Sequence, residues 1–277
     1  MKETVLVSGG AGYIGTHTTV ELIEAGYDVV IVDNLSNSEM AAVEGVRKIT
    51  GVNVPFEQVD CTDKEALGRV FDQYKFNSII HFAASKAVGE SVEKPLLYYR
   101  NNLQSLITIL ELMRDKGVRN IVFSSSCTVY GQPDVLPVTE QTPRQPATSP
   151  YGNTKQICED ILRDTVHAYP ELFGIALRYF NPIGAHPTAE IGELPNGVPQ
   201  NLIPYELPKG VPMNLVPFIT QTAAGIREYL SVFGDDYDTP DGSAIRDYID
   251  VNDLARAHVV AVDRMVGGKS KSNYEYF

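Results

Sequence analysis

Short runs rich in β-branched residues alternate with longer segments of helical periodicity over the first two thirds of the chain. This alternation is typical of a doubly wound parallel sheet with helices on both faces. The run at 29–32 is apolar at every position, which suits a strand covered on both sides. We predict strands at residues 4–8, 28–33, 54–60, 78–82, 120–125 and 173–179. We predict helices near residues 12–24, 39–50, 64–74, 97–116 and 151–169.

The composition excludes several classes of function. With 277 residues, 43% of them hydrophobic, the chain can bury a large core. A net charge of −12 makes a nucleic-acid or anionic-membrane partner improbable, because phosphate groups would repel most of the surface. No apolar run approaches the roughly 20 residues of a membrane span. Cys61, Cys127 and Cys158 have no CxxC spacing, so we expect no metal site, no disulfide framework and a cytoplasmic protein.

A glycine-rich turn follows the first predicted strand and begins the first predicted helix. Gly9, Gly12 and Gly15 would let the turn tighten and let backbone N–H groups approach a pyrophosphate. Asp33 stands at the end of the second predicted strand, where an acid accepts hydrogen bonds from the adenosine ribose and repels a 2′-phosphate. The alternative is a glycine turn with an unrelated surface aspartate. In this context the pattern favours a Rossmann-type site for NAD over NADP.

The second motif is a tyrosine and a lysine four residues apart on one helix. Ser149 is a good N-cap and Pro150 suits the first helical position, so Tyr151 and Lys155 share a face. We expect the ammonium group to lower the pKa of the phenol from about 10 toward neutrality, making Tyr151 a general base. This spacing is common on helix surfaces, but here the helix follows the fifth strand of a nucleotide-binding sheet.

A run of hydroxyl side chains lies between these motifs, from Ser124 to Thr128, with Cys127 inside it. It follows the fifth predicted strand, and ligands of open α/β sheets bind outside the carboxyl ends of the strands. A serine-rich turn without function explains one hydroxyl easily and a run of four poorly. We therefore expect these hydroxyls to face the cofactor crevice.

These motifs resemble the extended short-chain dehydrogenase/reductase family and, within it, the enzymes that epimerise UDP-hexoses at C4. The resemblance runs from about residue 5 to 265 outside a repeat described below. It is carried by GGAGYIG at 9–15, HFAA at 81–84, KAVGES at 86–91, YYRNN at 98–102, SSSCTVYG at 124–131, SPYGNTK at 149–155, RYFNP at 178–182 and RDY at 246–248.

The resemblance implies a tightly bound NAD and a reversible oxidation at C4 that interconverts UDP-galactose and UDP-glucose. Tyr151, helped by Lys155 and Ser126, would remove the proton of the 4-hydroxyl. The implied NAD-binding residues are Gly9, Gly12, Tyr13, Ile14, Gly15, Asp33, Asn34, Leu35, Ser36, Asn37, Ser38, Asp60, Cys61, Phe82, Ala83, Ala84, Ser85, Lys86, Asn101, Ser126, Tyr151, Lys155 and Phe180. The implied substrate-binding residues are Ser126, Tyr151, Asn181, Asn201, Leu202, Asn214, Leu215, Ser231, Val232, Phe233 and Arg246.

The chain changes character after Arg178, with a segment rich in proline and glycine at 182–218. We predict an NAD-binding domain at 1–180 and a smaller, loop-rich UDP-sugar-binding domain at 181–277. A tandem repeat fills 193–218, with nine of thirteen positions identical, and we interpret it as a duplication within a surface loop. Asn201 and Asn214 are therefore alternative substrate contacts, and the second is favoured because its copy leads directly into 218–225. Since the chain stops inside an apolar pattern, we expect this domain to be truncated.

Several alternatives remain open at this point. Sugar-nucleotide dehydratases carry an acidic pair where this chain has Cys127 and Thr128, so dehydration is disfavoured. Decarboxylases of the same group carry a glutamate at the position of Thr128. A catalytically inactive NAD-binding protein or fragment, or an NAD-dependent sugar-nucleotide dehydrogenase, would share most of these motifs. The resemblance also implies a homodimer through the helices at 97–116 and 151–169, although their apolar stripes could instead be core.

Overall fold

The first two strands of the chain are runs rich in β-branched residues, and all of the strands are short. The computed structural model describes residues 3–193, 219, 222–225, 228–229, 235–243 and 245–277. Its strands are β1 (Thr4–Ser8), β2 (Asp28–Asp33), β3 (Phe56–Gln58), β4 (Ser78–His81), β5 (Asn120–Ser124), β6 (Phe173–Leu177), β7 (Asn181–Ile183), β8 (Tyr248–Asp250) and β9 (Tyr274–Tyr276).

The helices begin and end where the local sequence provides caps. They are α1 (Tyr13–Glu24), α2 (Met40–Thr50), α3 (Lys64–Gln73), α4 (Val88–Glu93), α5 (Pro95–Lys116), α6 (Pro150–Ala168) and α7 (Val251–Val266), with a 3₁₀ turn at Cys127–Tyr130. Ser149 caps α6 by accepting a hydrogen bond from the Gly152 N–H at 3.1 Å. Asp63 caps α3 in the same way, and Gly117 in the left-handed conformation ends α5.

Seven parallel strands form the main sheet, in the order β3-β2-β1-β4-β5-β6-β9. Val7 of β1 pairs with Ile31 of β2 on one side and with Ile80 of β4 on the other. The strand order therefore reverses between β1 and β4, which is where open α/β sheets bind ligands. β7 and β8 form a separate two-stranded parallel sheet.

Two hydrophobic cores lie on opposite faces of the main sheet, as expected for strands that are apolar at successive positions. On one face, α3, α5 and α6 bury residues such as Leu67, Leu106 and Leu162. On the other face, α1, α2 and α7 bury residues such as Val43 and Val262. Successive strand residues point to alternate faces, so the five central strands β2, β1, β4, β5 and β6 contribute to both cores.

The structure confirms the doubly wound parallel sheet, and each of the six predicted strands and five predicted helices is present. The strand predicted at 54–60 covers only Phe56–Gln58, and α4 was not predicted because six residues carry little periodicity. Helix α7 and strand β9 follow residue 180, yet α7 packs on the sheet and β9 pairs with β6. The sheet unit thus includes segments from both sides of the predicted domain boundary. The repeat at 193–218 lies outside the described residues except for Glu193.

None of the helices in the described part of the chain is both long enough and apolar enough to cross a membrane.

Candidate active site

The glycine turn after β1 passes very close to the turn after β4. Gly9 has φ +71°, and a Cβ placed on it would lie 2.7 Å from the Ala83 nitrogen. This approach is fixed by the backbone, since Ser8 O accepts hydrogen bonds from the Phe82 N–H at 2.9 Å and the Ala83 N–H at 3.1 Å. A Cβ on Gly15 would lie 2.4 Å from Gly9 O. Only glycine fits these positions, and the result is a bare backbone surface at the switch point.

Asp33 ends β2 beside this turn and is buried. Its Oδ2 accepts a hydrogen bond from the Ala11 N–H at 3.1 Å. Its Oδ1 accepts from the Leu35 N–H at 2.9 Å and from the Ser38 hydroxyl at 2.9 Å. The carboxylate therefore holds both the glycine turn and the loop at 34–38, and it keeps capacity for a ribose hydroxyl because each oxygen has two lone pairs.

The loop after β2 contacts the end of β3. Asn34 donates a hydrogen bond to Asp60 Oδ2 at 3.0 Å, and Thr62 donates to Asp60 Oδ1 through its N–H and its hydroxyl. Cys61 is buried, and burial raises its pKa to about 12, so its thiol is neutral. The structure thus places these predicted cofactor residues along the carboxyl ends of β2 and β3. Ser36 and Asn37 are exposed in the same loop.

The turn after β4 is held by α5. Asn102 Oδ1 accepts from the Ser85 N–H at 2.8 Å, and its Nδ2 donates to Ser85 O at 3.0 Å and to Thr154 at 3.0 Å. Asn101 donates to the Ser85 hydroxyl at 3.1 Å. Lys86, half-buried at the end of this turn, pairs with Glu193 at 3.4 Å. Sequence reasoning named Asn101 and missed Asn102, although both stand in the YYRNN motif.

Ser126, Tyr151 and Lys155 lie at the carboxyl end of β5. Lys155 is 3% exposed, and its ammonium group donates to Ser124 O at 2.6 Å. It lies 5.7 Å from the centre of the Tyr151 ring and 5.0 Å from that of Phe123. Ser126 is buried where β5 passes into the 3₁₀ turn. Two elements therefore bring together the three residues that the sequence predicts as catalytic.

Burial dominates the pKa values of this site in the free protein. It raises the pKa of Tyr151 to about 12, although a hydrogen bond with Ser126 acts in the opposite direction. It also lowers the pKa of Lys155 to about 8. The prediction that Lys155 brings the pKa of Tyr151 toward neutrality is therefore wrong for the free protein. The physical reason is that loss of water around the phenolate outweighs the stabilising hydrogen bond from Ser126.

The remaining predicted residues extend from β6 toward the second sheet. Phe180 is half-buried, and Asn181 in β7 donates to Asp247 O at 3.1 Å. Arg246 is exposed two residues before Tyr248, which pairs with Asn181, so the pairing of β7 with β8 places the two segments next to each other. The Tyr13 hydroxyl donates to Gly184 O at 2.5 Å and links α1 to this region. Outside the described residues lie Asn201, Leu202, Asn214, Leu215, Ser231, Val232 and Phe233.

Tyr179, which sequence reasoning did not assign, lies beside the predicted catalytic residues. Its hydroxyl shares a hydrogen bond with Ser124, and its carbonyl accepts from the Cys127 N–H at 3.0 Å. Its ring packs edge-on against His258 of α7, which also contacts Phe82. The RYFNP motif contains this tyrosine, but its neighbours could be identified only in the folded chain. Among the described residues no group of three or more His, Cys, Asp or Glu is placed to hold a metal ion.

Comparison with known proteins agrees with this geometry. The chain is 50% identical over 268 residues to UDP-glucose 4-epimerase 2 of Arabidopsis thaliana, covering 96% of the chain and 73% of that protein. It is 49% identical over 270 residues to UDP-glucose 4-epimerase of Bacillus subtilis, covering 98% of the chain and 76% of that protein. The structure matches UDP-glucose 4-epimerase from Bifidobacterium longum in complex with NAD⁺ and UDP. That match has a TM-score of 0.88 and 46% identity, over 99% of this chain and 77% of the other.

Residues 5–275 of the chain also match the model of a protein family. This range contains the glycine turn, Asp33, the Ser126, Tyr151 and Lys155 set, and strand β9. The chain therefore belongs to the NAD dependent epimerase/dehydratase family.

Proposed function

We propose that the chain interconverts UDP-galactose and UDP-glucose by inverting C4 of the sugar, using bound NAD. The observation that carries this function is the placing of Ser126, Tyr151 and Lys155 at the switch-point edge of a sheet that is shared with UDP-glucose 4-epimerases. About half of all residues are identical between the chain and these enzymes over most of its length. The chain is therefore an NAD-dependent isomerase.

The cofactor surface fits NAD. The close approach of Gly9 to Ala83 leaves backbone atoms free of side chains where a pyrophosphate would pass. Asp33 would accept hydrogen bonds from the adenosine ribose and would repel a 2′-phosphate. The residues after β2, β3 and β4 that the sequence predicts for NAD line the same edge. When bound, NAD supplies the reversible hydride transfer that the reaction at C4 requires.

We assign the proton transfer to Tyr151, which takes the proton of the sugar 4-hydroxyl and later returns it. Ser126 donates a hydrogen bond that stabilises the phenolate, and the Lys155 cation lies close enough to favour it. Burial raises the pKa of Tyr151 in the free protein, and a bound NAD⁺ would add a positive charge that acts in the opposite direction.

The substrate side is proposed from the second sheet. Arg246 is an exposed cation next to β8, and a cation that can bind a diphosphate is needed in a chain of net charge −12. Asn181, Ser231, Val232 and Phe233 are proposed as further contacts, together with one Asn-Leu pair of the repeat. We further propose the division into domains at 1–180 and 181–277, with α7 and β9 of the second segment completing the sheet unit of the first.

Two further proposals concern the oligomeric state of the protein and its location in the cell. We propose a homodimer through α5 and α6, because Leu97 is 49% exposed and Ile107 and Ile157 are only partly buried on these helices. A monomer in sedimentation analysis would contradict the homodimer.

We also propose a cytoplasmic location, since Cys61, Cys127 and Cys158 are all free thiols.

One chromatogram tests the function against its alternatives. Purified protein is incubated with UDP-galactose and without added NAD, and the quenched nucleotides are separated. We expect UDP-glucose together with NAD released by denaturation. A product that forms only when NAD is added, and that is a keto sugar or acid, would instead indicate a dehydrogenase. Released NAD with no UDP-glucose would indicate an inactive NAD-binding protein.

A further inference from the structure

Glu159 is a buried charged residue to which the proposed function gives no role. It lies on α6 one turn after Lys155, and it is 1% exposed. Both of its oxygens bind Arg178, which donates from Nε to Oε1 at 2.8 Å and from Nη2 to Oε2 at 2.6 Å. The side chains of this pair are 2% and 6% exposed. Such a two-bond geometry is strong and directional, so the carboxylate is held in one orientation.

The same carboxylate binds the turn that carries the catalytic serine. The Ser125 hydroxyl donates to Glu159 Oε1 at 2.5 Å. Ser125 stands between Ser124, whose carbonyl accepts from Lys155, and Ser126. Its N–H donates to Phe123 O at 2.9 Å, which makes the turn tight. The position of Ser126 therefore depends on a side chain from α6.

Arg178 is itself fixed by the last strand of the sheet. Its N–H donates to Phe277 O at 2.7 Å, and its guanidinium group lies 4.0 Å from the centre of the Tyr276 ring. Arg144 approaches Glu159 from a surface loop at 3.7 Å. The charge on Glu159 is thus matched from both sides, in a part of the core where an unpaired carboxylate would be very costly.

Glu159 also acts on Lys155 through its charge. The groups that face Lys155 are Tyr151, Cys158 and Glu159 from α6, the Ser124 carbonyl from β5 and the His81 ring from β4. Burial lowers the pKa of Lys155 to about 8, while Cys158 and Glu159 act in the opposite direction. His81 is buried, and its pKa is lowered to about 3, so its ring is neutral.

We propose that Glu159 is a positioning residue of the reaction, which holds the turn of Ser126 through Ser125 and keeps Lys155 protonated. This inference rests on the proposed function, since the roles of Ser126 and Lys155 belong to it. Arg178 serves Glu159 by orienting its carboxylate. The Glu159–Arg178 pair thereby sets the position of Ser126 and the charge of Lys155.

Two substitutions separate these effects. Glu159→Gln removes the charge, and we expect kcat to fall at least about tenfold with KM little changed, because the ground-state contacts to substrate remain. The alkaline limb of the kcat profile should move to lower pH by about one to two units, since Lys155 loses its proton more easily. Ser125→Ala leaves the charge in place, so it should lower kcat without moving that limb.

Two further variants keep the test decisive. Glu159→Gln combined with Arg178→Gln leaves no unpaired buried charge, so it provides a folded protein, checked by circular dichroism, if the single variant unfolds. Asp160→Asn removes an exposed carboxylate from the next position of α6, where it pairs with Arg144 and Arg163. We expect Asp160→Asn to keep the pH profile of the parent.

A second measurement needs no turnover. The Cε resonance of Lys155 in protein labelled with ¹³C-lysine, assigned by its loss in Lys155→Met, is titrated by NMR. We expect its midpoint to fall in Glu159→Gln, to fall by less in the double variant because that variant also loses the opposing charge of Arg178, and to stay in Asp160→Asn. Unchanged midpoints and unchanged alkaline limbs in the folded Glu159 variants would overturn the inference. A parent protein with the expected midpoint but no epimerisation would contradict the proposed function alone.

Discussion

The close approach of the turns after β1 and β4 leads to a quantitative prediction for Gly9→Ala. Gly9 has φ +71°, where a residue with a Cβ loses about 1–2 kcal/mol. The new Cβ would also lie 2.7 Å from the Ala83 nitrogen and 3.0 Å from the Phe82 carbonyl carbon. Both neighbours are backbone atoms of a turn fixed by Ser8, so they cannot rotate away. Such overpacking costs about 1–3 kcal/mol.

Gly117→Ala is the matched control. Gly117 has φ +73°, and nothing lies within 4 Å of a Cβ built on it. It therefore carries the conformational cost without the clash, and we expect a loss of about 1–2 kcal/mol. The expected total for Gly9→Ala is about 2–5 kcal/mol. The difference between the two variants measures the close approach alone.

Urea unfolding followed by circular dichroism gives both free energies, and the absorbance of NAD released by heat gives the cofactor content per chain. We expect Gly9→Ala to be less stable than Gly117→Ala and to retain much less NAD, because the displaced turn carries predicted cofactor contacts. Equal losses of stability with equal NAD content would refute the reasoning.

Three further predictions concern single side chains. Tyr151→Phe should lower kcat by about 10²–10⁴ while the NAD content stays that of the parent, and a normal rate would exclude Tyr151 as the base. Asp33→Asn should reduce the NAD retained after gel filtration, because the amide N–H₂ would face one of the backbone N–H groups that now donate to the carboxylate. Unaltered NAD retention would contradict this. Burial lowers the pKa of His258 to about 4, so between pH 6.5 and 4 the imidazole is protonated in the unfolded state and neutral in the folded state. We expect about 3 kcal/mol of stability to be lost as pH falls from 6.5 to 4, and less in His258→Gln; equal pH dependence in urea unfolding would count against it.

Much of the active site could be predicted because its motifs are local. The glycine turn, Asp33 at the end of a strand, and Tyr151 and Lys155 on one helix face each follow from spacing within one or two elements. Their convergence follows from a general property of parallel sheets, in which the carboxyl ends of all strands lie at one edge. The bounds of β1 and β2 agree with the prediction at every residue, because each is a continuous apolar run rich in β-branched residues with a clear beginning and end.

Other features could not be predicted from local patterns. Asn102 of α5 forms hydrogen bonds to Ser85 in the turn after β4 and to Thr154 in α6, and no regular spacing in the sequence relates these three residues. The pKa of Tyr151 was predicted in the wrong direction because the sequence shows the neighbouring charge but not the burial of the phenol. Short α4 was missed for lack of periodicity.

The sequence by itself determined the class of the fold and the cofactor, and it predicted the catalytic residues, since these depend on residue types at fixed short separations. The tertiary structure alone decided which distant segments touch. It placed β9 beside β6, joined Glu159 to both Arg178 and Ser125, and reduced the contact of the Tyr151 phenol with water. The physical reason is that burial and long-range contacts are properties of the packed chain, whereas turns, caps and helix faces are properties of a few consecutive residues.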